Sequence, residues 1–366
     1  MKKIRVMIVE DSPTVRELLI HIINQDPRLE VAAGVDSGEK ALRIIGRIQP
    51  DVISMDIRLP GMTGFEATRK IMQIRPTPIV VISASVEKED LQISMNALRA
   101  GALSVVEKPV NFNQASYYEL AHKICTQLVI MSKVKVISQR LKTKPIYLSG
   151  HPMADRPIPL RDNMTGKRNS YKWLGLVAST GGPKALSEIL GSLPRNFPLP
   201  IFVVQHITAS FHDGFIDWLN SITPLSVIKA DTSMIPVPGS IYLPPVDHHL
   251  IVQNGHVLPA NSPLVCRQRP SGTVLFQSMA EHSGRNVIGV VLTGMGEDGS
   301  EGLKAIKDAG GYTIAENEST SVVYGMPAAA VAIDGVCESL PLDEIAPRIL
   351  ELTAKPHSEA MAYANR

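Results

Sequence analysis

Cysteine is scarce in this chain of 366 residues, which has only Cys125, Cys266 and Cys337, far apart in sequence. One bridge is the most they could form, and no Cys-x-x-Cys or Cys/His spacing offers a zinc site. The expectation is three scattered buried thiols in a reducing cytoplasm. Long apolar runs are also missing, and none approaches the ~18 residues of a membrane span. The opening MKKIRVMIVEDS is basic and then apolar. Its apolar part is too short for a secretory h-region and ends in Glu10-Asp11, so it reads as a first strand. Charge of one sign is lacking: 37 Lys+Arg against 35 Asp+Glu leave a net +2. That balance gives no electrostatic case for nucleic acid or an anionic membrane as partner. Neither a helix-turn-helix pattern nor aromatic residues interleaved with basic ones supplies one. What is present is an ordinary globular composition, 44% hydrophobic and 20% charged. The length favours two domains, each able to bury a core.

In the first third, strands and helices alternate. Apolar runs over 5–9, 29–35, 51–55, 79–82 and 102–106 read as strands. Helical stripes follow over 13–24, 38–48, 64–74, 88–100 and from 113 onward, the first carried by Val15, Leu18, Leu19, Ile22 and Ile23. Five such units imply a parallel sheet with helices on both faces. Ligand sites in such sheets lie beyond the carboxyl ends of the strands. Those ends carry Glu10, Asp11, Asp56, Ser83 and Lys108. Any one of them alone reads as a solvated charge. Together, three carboxylates at one edge repel and need a cation, and all-oxygen ligation favours Mg²⁺. A cation and a lysine beside Asp56 would stabilise a transferred phosphoryl group.

The segments VEDSPTVREL, MDIRLPGMTGFEA, VVISAS and VEKPV, spanning about residues 1–125, resemble the response-regulator receiver domain. The resemblance implies a flavodoxin-like, five-stranded parallel fold. It implies Asp56 as phosphoacceptor, Glu10, Asp11 and Asp56 around Mg²⁺, Ser83 as switch hydroxyl and Lys108 as the phosphate-binding lysine. A histidine kinase is the implied phosphodonor. Val105 departs from the pattern, standing where many receivers carry an aromatic that moves with the switch hydroxyl.

From about residue 131 to 170 the chain turns basic and rich in Pro, Ser and Asn, with little periodicity after Leu141. This reads as a linker between a domain at 1–130 and another at 171–355. The second domain opens with WLGLVASTGGP, residues 173–183. Its apolar half suits a short buried strand, and Pro183 suits the first turn of a helix. Ser179 therefore sits where a strand breaks into a helix, near backbone N–H groups that favour developing negative charge. The match to the Gly-x-Ser-x-Gly elbow is partial, because Val177 fills the first glycine position. By itself such a loop is more often a phosphate cradle or a turn.

Alternation then resumes, with strands over 199–204, 286–292, 312–315 and 336–340 and helices over 211–220, 272–282 and 303–309. The residues Val274, Leu275, Phe276 and Met279 are expected to be buried. A hairpin is expected around Asn254-Gly255, with a type I′ turn. The fold class is again doubly wound α/β. Ser179, His206 and Asp298 fall at strand ends. A serine needs a base, and a histidine serving as that base needs a carboxylate partner. His212, His248, His249, His256 and His282 compete as base, and Asp213, Asp247 and Glu297 compete with Asp298. Spacing alone leaves these alternatives open.

The segments VASTGG, VVQHI, IYLPPVDHHL, RQRPS, GVVLTGMGEDG and AENESTSVVYGMP resemble the catalytic domain of the chemotaxis protein-glutamate methylesterases. The resemblance implies a Ser179–His206–Asp298 triad, an oxyanion N–H at Met295, and Thr180 beside the nucleophile. It implies hydrolysis of glutamyl methyl esters on methylated chemoreceptors to glutamate and methanol, with no cofactor for that step. Many members also deamidate receptor glutamines. Activation by phosphorylation of the receiver and a cytoplasmic location at receptor arrays follow from the same resemblance. The chain also departs at residues 267–273, reading Arg-Gln-Arg-Pro-Ser-Gly-Thr where the family usually reads R-H-R-P-S-V-D; Gln268 and Thr273 there bear on substrate fit. A catalytically silent interaction domain and a transcription regulator are the competing readings. The complete set of triad residue types opposes the first, and the missing DNA-binding pattern opposes the second.

Overall fold

The computed structural model describes residues 2–83, 102, 104–108, 114–134 and 171–354. The helix expected over 88–100 and most of the linker, 135–170, lie outside the described residues. In the first unit β1 (Ile4–Val9), α1 (Pro13–Gln25), β2 (Leu29–Val35), α2 (Gly38–Ile48) and β3 (Val52–Met55) come first. They are followed by α3 (Gly64–Ile74), β4 (Ile79–Ser83), β5 (Ser104–Glu107) and α4 (Gln114–Met131). The strands pair in parallel in the order β2-β1-β3-β4-β5. Local chemistry sets the helix starts. The Ser12 hydroxyl accepts from Val15 N with Pro13 in the first turn, and Thr63 forms a reciprocal capping box with Glu66. The strand order reverses at β1, so a crevice opens over the carboxyl ends of β1 and β3, where Glu10, Asp11 and Asp56 lie.

The second unit begins with β6 (Trp173–Ala178), α5 (Gly182–Ser192), β7 (Ile201–Gln205), α6 (Ala209–Ile222), β8 (Ser226–Lys229) and β9 (Ser240–Leu243). The hairpin β10 (His249–Gln253) and β11 (His256–Ala260) precedes α7 (Gly272–Ser283). Then come β12 (Val287–Val291), α8 (Ser300–Asp308), β13 (Tyr312–Glu316), α9 (Met326–Ala332), β14 (Glu338–Leu340) and α10 (Leu342–Thr353). Seven strands form a parallel sheet in the order β14-β13-β12-β6-β7-β9-β8. All six residues of β6 are buried, as a central strand covered on both faces requires. Again the order reverses at the first strand, which places a second crevice at the end of β6.

The turn between β10 and β11 has Asn254 at φ 52° and Gly255 at φ 79°, the left-handed pair of a type I′ hairpin. Three expectations need correction. Only Cys125 is buried, while Cys266 and Cys337 are exposed. Cys266 is in a tight turn on the surface, and Cys337 lies just before the edge strand β14. Val274 is only partly buried, because the stripe facing the sheet is Leu275, Phe276, Met279 and Ala280 and Val274 falls beside it. The helices α9 and α10 were not expected. Pro347 inside α10 removes one ladder donor and disguises the helix.

Candidate active site and acidic pocket

At the first crevice Lys108 Nζ lies 2.9 Å from Asp56 Oδ2 and 3.0 Å from Glu10 Oε2. Ser12 N donates to Glu10 Oε1 and Arg58 N to Asp56 Oδ1, each at 3.3 Å. Ligand atoms of Glu10, Asp11 and Asp56 lie within 4.8 Å of one another. Glu10 and Asp56 are buried and Asp11 is exposed. Burial, then the neighbouring Asp56 charge, pushes the Glu10 carboxyl up to about 7 against the pull of Lys108. Burial likewise raises Asp56, with Lys108 offsetting part of it. Glu10 Oε2 and Asp56 Oδ2 are buried without an aligned hydrogen-bond donor. An oxygen-only cluster of three carboxylates against a single lysine, with one member exposed, fits a hard divalent cation. Ser83 ends β4, buried, and its carbonyl accepts from Lys108 N at 3.0 Å.

At the second crevice Gly181 makes the turn from β6 into α5 with φ 82°, and a Cβ there would lie 2.6 Å from Val322. Ser179 N donates to Thr293 O at 3.0 Å, and His206 N to Ala178 O at 3.1 Å. These bonds extend the parallel ladders beyond the sheet and hold both groups at its edge. Ser179, Thr180, His206 and Gln268 line one cavity of about 250 Å³. The other side of that cavity is Ser104, Val105, Val106, Lys123 and Gln127 of the first unit.

His206 Nε2 lies 2.8 Å from Asp298 Oδ2. With Nε2 so engaged, Nδ1 is the ring nitrogen left for another partner. Asp298 is buried at the start of α7. It accepts from Ser271 Oγ at 2.6 Å, Gly272 N at 2.6 Å and Thr273 N at 3.1 Å. Burial pushes this carboxyl up, but the bond and charge of His206, then Ser271 Oγ and Gly272 N, outweigh it and leave it below its ordinary value. The carboxylate is thus held ionised by a helix N-terminus and a histidine.

Six of the eight competing residues go elsewhere. His212 and Lys229 lie on Asp213, and Arg269 holds Asp247 through two bonds of 2.8 Å. His248 and His256 bond backbone carbonyls. His282 accepts from Gly255 N and stacks on Trp173 with ring centroids 4.9 Å apart.

Residues 174–349 match the family model of the CheB methylesterase, and residues 6–116 that of the response regulator receiver domain. A protein-glutamate methylesterase/protein-glutamine glutaminase 2 of Paramagnetospirillum magneticum is 54% identical over 351 residues, covering 96% of this chain and 98% of that one. The chain belongs to this methylesterase family. It is a carboxylic ester hydrolase carrying a receiver domain. A methylesterase/glutaminase of Syntrophus aciditrophicus is 40% identical, covering 95% of this chain and 98% of that one. The crystal structure of the Thermotoga maritima CheB methylesterase catalytic domain is 37% identical. It covers 50% of this chain and 99% of that one, with a TM-score of 0.48.

The departures of this methylesterase at Val177 and Thr273 lie behind the site. Val177 fills the space under Gly272, where a Cβ would come within 2.2 Å of Val177 Cγ1. Thr273 Oγ1 accepts from Gly299 N at 2.8 Å while its own N–H reaches Asp298. Gln268, like Val105 of the receiver, faces the cavity. Sequence reading also passed over several buried polar residues of the methylesterase. Gln205 Nε2 donates to the carbonyls of Ser179 and His206, both at 2.9 Å. Glu316 accepts from Thr293 N at 2.9 Å, and Ser271 caps α7 over Asp298. Glu316 follows the apolar run of β13 at its carboxyl end, the same signal that marked the other strand-end groups.

Proposed function

We propose that the chain hydrolyses glutamyl methyl esters on chemoreceptors, with Ser179 as nucleophile, His206 as general base and Asp298 as its orienting carboxylate. The supporting observation is the 2.8 Å bond between His206 and Asp298, beside the cavity that Ser179 and His206 share. Ser179 Oγ attacks the ester carbonyl and gives its proton to His206 Nδ1. The imidazolium, stabilised by Asp298, returns that proton to the departing methoxide, releasing methanol. Water, deprotonated by the same ring, attacks the acyl-serine; glutamate is released as the ring returns that proton to Ser179 Oγ. Met295 N–H and the backbone beside Thr180 take the developing oxyanion. Met295 belongs to a loop pinned where Gly294 O accepts from Gly325 N and Met326 N. A glutamine amide follows the same course with ammonia leaving, as the relatives' names imply.

In the receiver, Asp56 takes the phosphoryl group from a histidine kinase. Glu10, Asp11 and Asp56 would hold Mg²⁺, which supplies charge neutralisation for the transfer. Lys108 contacts Asp56 from the other side, and Ser83 serves as the switch hydroxyl. The unphosphorylated receiver, residues 1–130, restrains the hydrolase, residues 171–355, through a linker at 131–170. The shared cavity supports this, since Val105 and Val106 of β5 line it together with Ser179 and His206. Val322 supports it too, packing against the receiver core while touching the Gly181 turn. Work at receptor arrays in the cytoplasm suits this substrate. Among the described residues no helix is long and apolar enough to cross a membrane. Methyl-labelled receptor membranes incubated with the purified chain should release methanol. Wild-type release by Ser179→Ala would overturn the assignment.

A further inference from the structure

His249 is fully buried at the first position of β10 and takes no part in the chemistry above. Both of its ring nitrogens are engaged. Ser271 N donates to Nδ1 at 3.1 Å, so Nδ1 carries no proton. In the neutral ring the proton is then on Nε2, which lies 3.0 Å from the carbonyl oxygen of Pro263. One tautomer satisfies both contacts. A ring protonated on both nitrogens would turn an N–H towards the Ser271 N–H.

The two contacts grip one segment at both ends. Between Pro263 and Ser271 the chain makes a tight turn in which Val265 and Gln268 exchange backbone bonds of 3.2 and 2.9 Å. Its central residues, Cys266 at φ 50° and Arg267 at φ 60°, are non-glycine residues held in the left-handed region. Such backbone persists only where surroundings over-determine it. The turn presents Gln268 to the cavity, and its far end, Ser271, donates to Asp298 Oδ1 at 2.6 Å. Contacts therefore run without a break from His249 through Ser271 and Asp298 to His206.

We propose that His249 is a positioning residue for the esterase, fixing Ser271, and through it Asp298, as the neutral Nε2–H tautomer. This rests on the triad reading above. It gives the second histidine of PVDHHL a task other than that of competing base. The acceptor at Nδ1 sets the orientation of Asp298, and the donor at Nε2 sets the rim that carries Gln268.

Two amide variants separate these contacts. Asn places its oxygen where Nδ1 stands, and Gln places its N–H₂ where Nε2 stands. In the full chain, His249→Asn should keep kcat within about threefold. His249→Gln should lose on the order of a hundredfold in kcat, the scale of an ångström-sized displacement at a reacting group. Equal kcat in the two variants, whether high or low, overturns the proposal. The wild-type chain provides a measurement that needs neither variant to fold. Long-range ¹⁵N–¹H correlation should show the His249 ring as the Nε2–H tautomer, and an Nδ1–H or doubly protonated ring at neutral pH overturns the assignment. That spectrum is independent of turnover. A chain without any esterase activity would remove the triad reading while leaving the tautomer result standing or falling by itself.

Discussion

Replacing Glu316 with Gln should change how the stability of the hydrolase depends on pH. Glu316 ends β13, fully buried; Oε2 accepts from Thr293 N, and Oε1 has no aligned hydrogen-bond donor. Burial, aided by the Glu188 charge, pushes its carboxyl from 4.5 up to about 7, against the pull of Thr293 N–H, the Thr320 hydroxyl and Lys184. Below pH 4.5 the group is protonated whether the chain is folded or not, and its neutral form keeps its full contribution. Between 4.5 and 7 the unfolded chain releases the proton and the folded chain retains it, so stability falls as pH rises and levels off above 7. At about 1.4 kcal/mol per pH unit, that displacement removes about 3 kcal/mol. Glu316→Gln lacks the proton and should escape this loss.

The variant should therefore gain on wild type by about 3 kcal/mol between pH 4.5 and 8. For a domain of this size that amounts to roughly 6–12 °C in melting temperature. Both tryptophans, Trp173 and Trp218, belong to the hydrolase and are buried, so their fluorescence follows its unfolding and not the receiver's. Glu188, which burial also raises, is present in both proteins, and its repulsion of the Glu316 charge is lost in the variant, which adds to the gain in the same direction. A difference between variant and wild type that stays constant within about 1 kcal/mol over that range would refute the reasoning.

Other outcomes follow from the two crevices. Asp56→Asn should abolish phosphoryl labelling by a small phosphodonor, and chelation with EDTA should abolish it in wild type; undiminished labelling in either case counts against the acidic pocket. Ser179→Ala and His206→Ala should each remove most methanol release, while Asp298→Asn should lose roughly a hundredfold less, because an orienting carboxylate matters less than nucleophile or base. Circular dichroism should show all three folded. A chain starting near residue 170 should turn over a soluble ester about 5–150-fold faster than the unphosphorylated full chain. Equal rates would leave the receiver with localisation alone.

Most of the architecture was legible because parallel sheets write themselves in period. Each buried strand is a short apolar run, and most crevice residues follow one directly. Asp56 after VISM and His206 after IFVVQ are such cases, while Asp298 is set seven residues past the end of β12. Helix α10 was missed because Pro347 is a breaker by propensity, yet its packing against α5 buries Ile345, Ala346 and Ile349. Tertiary burial outweighs the single lost donor. Cys266 was misplaced because nothing in VCRQ announces a left-handed turn without glycine or asparagine.

The polar residues beneath the site escaped for a different reason. A single buried Gln205, Ser271 or His249 has no periodicity, and its partners lie far off in sequence, 26 residues away for Gln205 with Ser179 and 22 for Ser271 with His249. Their necessity appears only when the burial of Asp298 is considered. An ionised carboxylate removed from water needs its lone pairs filled. His206 fills one, and the start of α7 fills the others with Ser271 Oγ, Gly272 N and Thr273 N. That solution requires Gly272, since any side chain there would strike Val177, and it requires Ser271 to be held from behind. The departures at Val177 and Thr273 are therefore coupled to the support of the aspartate. Gln268 lies on the cavity side of the same segment, beside Ser179 and His206.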